Sequence, residues 1–206
     1  MRVTIDGWPD GTAIPAKYAF GQIPAEGRFE LGGNISPAIR WSGAPEGTKS
    51  FAIVVHDPDV PSVADDVNQE GKTVPADLPR IDFYHWVVVN IPASTTELPE
   101  SAASQGVTPR GKAPGQKPYG LAGLNNYTNW FEGDADMSGN YADYDGPCPP
   151  WNDSIIHHYH FTVYALDIEH LDVSSSFGGP EALAAMKGHI LAEGQYSGTY
   201  TMNRDL

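Results

Sequence analysis

Four side chains that could together hold an anion stand at the ends of apolar runs. Asp57 directly follows one run, and His85 lies in the next. A third run begins with His157 and carries Tyr159 two residues later. Binding residues concentrate where strands give way to loops, and a protonated imidazole donates charge-assisted hydrogen bonds to phosphate oxygens. The pattern predicts a pocket in which Asp57 orients a histidine that donates to a phosphate.

The two histidines also have a simpler interpretation. Each of His85 and His157 is in phase with the apolar positions of its run, so its side chain lies on the core side of a strand or lines a cavity. A core histidine with one backbone partner satisfies the same pattern. The sequence leaves both interpretations open for each residue.

The elements that position these residues are predicted to be strands. Apolar runs rich in β-branched residues are typical of buried strands. We expect the second strand to end at Asp57, because Pro58 and Pro61 remove donors from the ladder. The predicted strands cover residues 39–41, 50–56, 84–91, 157–166 and 196–202.

Only one helix is predicted with a clear pattern. It follows Gly179, with Pro180 at its first position, and Gly194 is expected to stop it. Its apolar face is predicted to consist of Leu183, Met186, Ile190 and Leu191. Strands followed by one helix and a last strand predict a mainly β protein: an antiparallel β-sandwich with a C-terminal peripheral helix and long loops, in a single domain over residues 1–206.

The net charge of −14 limits the classes of partner. Nonspecific nucleic-acid binding needs a basic surface, and an anionic membrane repels an acidic protein. The single cysteine, Cys148, excludes an internal disulfide. No apolar stretch reaches the length of a transmembrane segment or a signal peptide, so a cytoplasmic location is expected.

Several motifs, in order, resemble the phosphatidylethanolamine-binding protein family, in particular its bacterial Raf kinase inhibitor-like group. GNISP with WSGAP resembles the N-terminal signature, and DPDVPS resembles the first conserved motif. HWVVVNIP resembles the strand that follows, and GPCPP with HHYHF and VYALD resembles the second motif. These motifs occupy residues 33–37, 41–45, 57–62, 85–92, 146–150, 157–161 and 163–167, and 188–192 with 198–200 also fit.

This resemblance implies a non-catalytic protein with a small anion pocket near one edge of a sandwich. The implied ligand is a phosphate ester or a phospholipid headgroup such as phosphoethanolamine, with no metal and no other cofactor. The ligand-binding residues that carry over are Asp57, Pro61, His85, Gly146, Pro147, His157 and Tyr159. The resemblance leaves open whether the protein is a homodimer and whether it has a protein target.

The sequence departs from the family pattern in three ways. His158 replaces the arginine of the usual H-R-Y triplet, and Val60 replaces an alanine. Residues 62–83 and about 120–145 resemble loop insertions. Because both segments flank pocket motifs, they are expected to cover or reshape the mouth of the pocket.

Three other functions stay open. A hydrolase could use Asp57, Asp59, His85 and His157 as acid and base groups, although no G-x-S-x-G elbow is present. His158 and His160 share a strand face that could bind zinc, and Asp134 to Asp145 partly follows a calcium-loop spacing. The family also implies regulators that inhibit a kinase or protease by binding it, and 127–131 (YTNWF) is a candidate contact patch or a loop anchor.

Overall fold

A computed structural model describes residues 1–206. The first seven strands are β1 (Arg2–Ile5), β2 (Gly21–Gln22), β3 (Glu30–Leu31), β4 (Ile39–Ser42), β5 (Ser50–Pro61), β6 (Arg80–Pro92) and β7 (Glu97–Leu98). The remaining strands and the two α-helices are β8 (Gly115–Lys117), β9 (Gly120–Ala122), α1 (Tyr127–Trp130), β10 (His157–Leu166), α2 (Gly179–Met186) and β11 (Ile190–Tyr200). Neither helix has the length and hydropathy that crossing a membrane requires.

The strands form two main antiparallel sheets. One sheet has six strands in the order β11-β10-β5-β6-β9-β8, and the other has three in the order β1-β4-β7. The pair β2 and β3 forms a separate small hairpin. The predicted mainly β, antiparallel fold is confirmed.

The main core lies between the two sheets. Alternate residues of β5, among them Phe51, Ile53 and Val55, face Ile5 and Trp41 of the smaller sheet. The opposite face of the six-stranded sheet packs against α2. Because successive residues of β5 point to opposite faces of the sheet, the strand is buried on both faces. The helix α2 covers the outer face, so it is a peripheral helix as predicted.

The strand predicted to end at Asp57 continues to Pro61. Its pairing with β6 shifts between Asp57 and Val60, so that Pro58 and Asp59 form a β-bulge. A bulge leaves backbone groups out of the ladder, so proline costs no ladder bond there. The partner strand begins at Arg80, four residues before the predicted start.

The helix is shorter than its apolar pattern predicted. It ends at Met186, and Gly188 takes a positive φ of 88° that redirects the chain into β11. Ile190 and Leu191 therefore belong to the last strand, where each is 41% exposed. Over a segment this short, apolar residues spaced for a helix also fit a strand, so the pattern does not distinguish the two. Gly188 ends the helix here, and the residues after it join the strand.

Candidate functional site

A cavity of about 250 Å³ lies where β5, β6 and β10 continue beyond the sandwich core. Thirteen of its twenty lining residues are hydrophobic. Five of the seven predicted ligand-binding residues line it, and these are Asp57, Pro61, His85, His157 and Tyr159. The sheet brings them together because odd-numbered residues of β5 and β10 point to the same face.

His157 is held between two buried carboxylates. Its Nδ1 lies 2.7 Å from Asp57 Oδ2, and its Nε2 lies 3.0 Å from Asp153 Oδ2. Arg80 binds the second carboxylate through both terminal nitrogens, at 2.6 and 3.0 Å. The other oxygen of Asp57 accepts the backbone N–H of Asp59 at 2.8 Å, which fixes the bulge. The prediction that Asp57 orients a histidine agrees with this geometry.

The imidazole of His157 is charged at neutral pH. Burial is the largest influence and opposes the charge, but the hydrogen bonds and charges of Asp153 and Asp57 outweigh it and raise the pKa of His157 to about 9. Both N–H groups of the imidazolium are already donated to carboxylates. His157 therefore has no N–H left for a phosphate, which differs from the donor role expected from the sequence.

His85 is the histidine with a free ring nitrogen. Its Nδ1–H donates to the backbone carbonyl of Asp145 at 2.8 Å, which places the proton on Nδ1, and Nε2 makes no hydrogen bond within the protein. Burial lowers the pKa of His85 to about 4, although the Asp57 charge acts in the opposite direction. At neutral pH the cavity wall thus carries an uncharged imidazole whose Nε2 is an acceptor.

Tyr159 lies edge-on to the His85 ring, with the ring centroids 5.2 Å apart. Its hydroxyl is buried and makes no hydrogen bond within 3.5 Å, and the Asp57 carboxylate is the acceptor that acts on it from a longer distance. Burial, followed by the negative charge of Asp57, holds the pKa of this hydroxyl well above its usual range, so it is a donor at all physiological pH values. A ligand oxygen that reached this hydroxyl would compete with the Asp57 carboxylate for its proton.

A second buried network supports His85 from behind. The carboxylate of Asp145 accepts Asn34 and Asn125 at 2.8 Å each and Lys112 at 2.9 Å. The backbone N–H of Asp145 donates to the His85 carbonyl at 3.0 Å. The pKa of Asp145 is raised by burial, and the Lys112 charge and the amide bonds partly offset that rise. This network fixes the carbonyl that sets the His85 tautomer.

Gly146 and Pro147 do not line the cavity. The Gly146 N–H donates to Asn34 Oδ1, and its carbonyl accepts the Tyr127 hydroxyl. A Cβ on Gly146 would lie 1.9 Å from the Tyr18 carbonyl oxygen. The Pro147 carbonyl accepts the N–H groups of Phe20 and of the residue after it. The two residues hold the wall in place from behind the residues that line the cavity.

The two segments described as insertions both reach the cavity. Val67 and Asn68 of the first and Tyr127, Trp130 and Phe131 of the second line it. Trp130 is 48% exposed, whereas Tyr127 is buried and stacks on Phe20. The buried Tyr127 thus anchors the YTNWF segment to the protein, and Trp130 lies exposed at the mouth of the cavity.

The metal alternatives meet different partners in the structure. Asp134 accepts the N–H groups of Asp136 and Met137, while Asp145 lies in the buried network, so the two ends of the calcium-like spacing serve separate functions. His158 pairs with Asp59 at 2.8 Å, and His160 hydrogen-bonds Ser197 at 3.2 Å. No group of three metal-ligating residues is found.

Sequence reasoning missed Asp153, Arg80 and Asp145. Asp153 stands four residues before His157, in a turn with no strand pattern, and Arg80 belongs to a segment that looked irregular. Only their ion pairs and hydrogen bonds in the folded protein distinguish them from other acidic and basic residues. Asn34 could have been found from the sequence, since it lies within the GNISP motif. In the structure it takes a positive φ of 45°.

Comparison with known proteins agrees with this geometry. The family model described as phosphatidylethanolamine-binding protein matches residues 4–201. The UPF0098 protein YbcL of Escherichia coli (strain K12) is 33% identical over 193 residues, which make up 93% of this chain and 79% of that protein. A UPF0098 protein of Methanothermobacter thermautotrophicus is 33% identical over 181 residues, covering 87% and 91%. The crystal structure of Escherichia coli YbcL, described as a new member of the mammalian PEBP family, superposes with a TM-score of 0.68 at 30% identity over 97% of each chain.

The two antiparallel sheets, with a cavity at the end of their central strands, define the class as a mainly β protein with the fold of these relatives. The chain belongs to the phosphatidylethanolamine-binding protein family. This membership supports a binding-protein role.

Proposed function

We propose that the protein is a non-catalytic binding protein whose cavity holds a small anion, either a phosphate monoester or a phospholipid headgroup such as phosphoethanolamine. The observation that carries the proposal is the free Nε2 of His85 in the cavity wall, next to a Tyr159 hydroxyl that makes no hydrogen bond within 3.5 Å. A hydroxyl donor beside an imidazole nitrogen suits a phosphate oxygen.

The charges around the cavity require that binding be coupled to a proton. Asp57 and Asp153 carry two negative charges, and His157 and Arg80 carry two positive charges, so the buried group is neutral overall. Phosphate monoesters have a second pKa near 6, and a dianion in a buried neutral site is costly. One proton shared between the ligand and His85 Nε2 removes that cost. Above pH 6.5 the affinity should therefore fall about tenfold for each pH unit, as one bound proton requires.

The catalytic alternative lacks a base in the Asp57–His157 pair. Hydrolysis needs a nitrogen that can take a proton from water, and both nitrogens of His157 are bound to carboxylates. Cys148 lines the cavity, but burial raises the pKa of its thiol to about 12, which disfavours the nucleophilic thiolate. His85 keeps a free Nε2, but its pKa of about 4 makes it a weak base, so we propose that the site retains a phosphate ester without turnover.

Calorimetric titration with O-phosphoethanolamine and with inorganic phosphate tests the proposal. Measurement at pH 7.5 in two buffers of different ionisation enthalpy counts the protons, and we expect uptake of about one. His85→Asn keeps the donor to the Asp145 carbonyl but removes Nε2, so it should weaken binding at least about tenfold. His189→Asn is the matched control, because His189 pairs with Asp167 on the surface and lies outside the cavity. No heat with either anion, or equal binding by His85→Asn, would overturn the proposal.

A further inference from the structure

The cavity is larger and less polar than a small anion requires. A volume of 250 Å³ equals that of about eight water molecules. A phosphate group has only five non-hydrogen atoms and leaves part of this space unfilled. The rest of the wall is mostly hydrophobic. A bare phosphate or phosphoethanolamine would leave apolar surface in contact with water.

Part of the apolar lining is exposed at the mouth. Phe29 from the β2–β3 connection and Trp130 from α1 both line the cavity, yet they are 50% and 48% exposed. Trp151, a third aromatic residue of the wall, is held by the Arg28 guanidinium, which lies 4.8 Å from its ring centroid. Arg28 in turn binds both oxygens of Glu70, at 3.2 and 3.3 Å. The mouth is thus an aromatic surface in which Arg28 holds Trp151 in place, while Phe29 and Trp130 are exposed to solvent.

We propose that the site takes a phosphate monoester of a compact apolar group, such as one aromatic ring or a short branched chain, and that Phe29 and Trp130 bind that group. The proposal rests on the anion site described above. The phosphate lies against Tyr159 and His85, and the apolar group fills the remaining volume out to the mouth.

Titration with phenyl phosphate, O-phosphoethanolamine, inorganic phosphate and benzyl alcohol at pH 6.5 tests the inference. Phenyl phosphate should bind at least about tenfold more tightly than O-phosphoethanolamine, because its ring buries apolar area that the ammonium headgroup does not. Trp130→Ala should remove most of that difference and change the affinity for inorganic phosphate less than about twofold. Trp130→Phe should restore it. Ile190→Ala, an exposed apolar residue on β11, is the control and should change nothing.

The outcomes separate this inference from the proposed function. Equal affinity for phenyl phosphate and O-phosphoethanolamine would overturn the apolar subsite and leave the anion site standing. Benzyl alcohol binding as tightly as phenyl phosphate would show an apolar site without a phosphate requirement, which contradicts the ester. Absence of binding by all four compounds would overturn both proposals. An equal loss for phenyl phosphate and inorganic phosphate in Trp130→Ala would mean that the tryptophan shapes the anion site instead.

Discussion

At the scale of single residues, the partners of a histidine decide its chemistry. His157 and His85 lie in the same cavity wall, but one is charged between two carboxylates and the other is neutral against a carbonyl. The pKa values of about 9 and about 4 lie on opposite sides of the usual range. His157 therefore serves as a fixed charge in the structure, and His85 is the residue that can respond to a ligand.

The charge of His157 should make stability depend on pH. Its pKa is higher in the folded protein than in the unfolded chain, so its contribution is fully present below about pH 6.5 and is lost as pH rises to about 9. The contribution is on the order of 3 kcal/mol. We expect the free energy of unfolding of the wild type to fall across this window relative to that of His157→Gln, as measured by urea denaturation at pH 6.5, 8 and 9.5. Parallel pH profiles for the two proteins would contradict a charged His157.

The opposite shift should appear at acid pH. The pKa of His85 is lower in the folded protein, so the unfolded chain binds the extra proton between about pH 6.5 and 4 and folding becomes less favourable as pH falls. His85→Asn should flatten the acid side of the stability profile. Urea denaturation at pH 6.5, 5.5 and 4.5 measures this, with His189→Asn again as control. An unchanged acid slope in His85→Asn would show that other groups cause the loss.

At the scale of elements, Gly146 and Pro147 position the site from behind the cavity wall, which Cys148, Pro149 and Pro150 of the same loop line. Gly146 lies against the Tyr18 carbonyl and holds both Asn34 and Tyr127, so it connects the N-terminal segment with the wall behind His85. A glycine is needed there because of the close approach of the backbone. The Asp57–Val60 bulge has a similar role, since it turns the Asp57 carboxylate toward His157.

Gly146→Ala should therefore destabilise the protein by about 2 to 3 kcal/mol, because the new Cβ would overlap a backbone oxygen that cannot rotate away. Gly178→Ala is the matched control. Its nearest neighbour would be the flexible Glu181 carboxylate at 3.3 Å, and its cost should stay below about 1 kcal/mol. The midpoints of urea denaturation measure both changes. A loss for Gly146→Ala no larger than for the control would contradict the packing described.

Many of the strands and the helix α2 could be predicted from the sequence. The central strands were found because they are long, β-branched and buried on both faces. The extension of β5 through two prolines was missed because a bulge depends on the partner strand, which no local pattern reveals. The hairpin of β8 and β9 and the short α1 were also missed, because strands and helices of three or four residues are too short to show a period.

At the scale of the whole molecule, an acidic protein must bind an anion against its own field. The net charge is −14, and the charges lining the site sum to zero. The sequence predicted the acidic composition and placed Asp57, His85, His157 and Tyr159 in one pocket, and the structure has all four in one cavity wall. It did not predict that Asp153 and Arg80 complete the charge balance, because their pairing depends on the packing of a turn against a strand end.

This field should give the binding an unusual salt dependence. An increase in NaCl from 10 to 150 mM shortens the Debye length from about 30 Å to about 8 Å and screens the repulsion of an incoming anion. We expect the affinity for inorganic phosphate at pH 6.5 to rise about two- to threefold, measured by calorimetry. A fall in affinity with salt would mean that local positive groups dominate the field at the cavity.

The most direct test of the central claim is nitrogen-15 NMR of the histidine imidazoles, recorded between pH 5 and 9 with and without saturating phenyl phosphate. We expect the ligand to raise the pKa of His85 from about 4 to above 6, while His157 stays charged up to about pH 9 in both states. We also expect the His85 Nδ1–H signal to persist throughout, because the Asp145 carbonyl holds it. A ligand that shifts the titration of His157 and leaves His85 neutral would contradict the account.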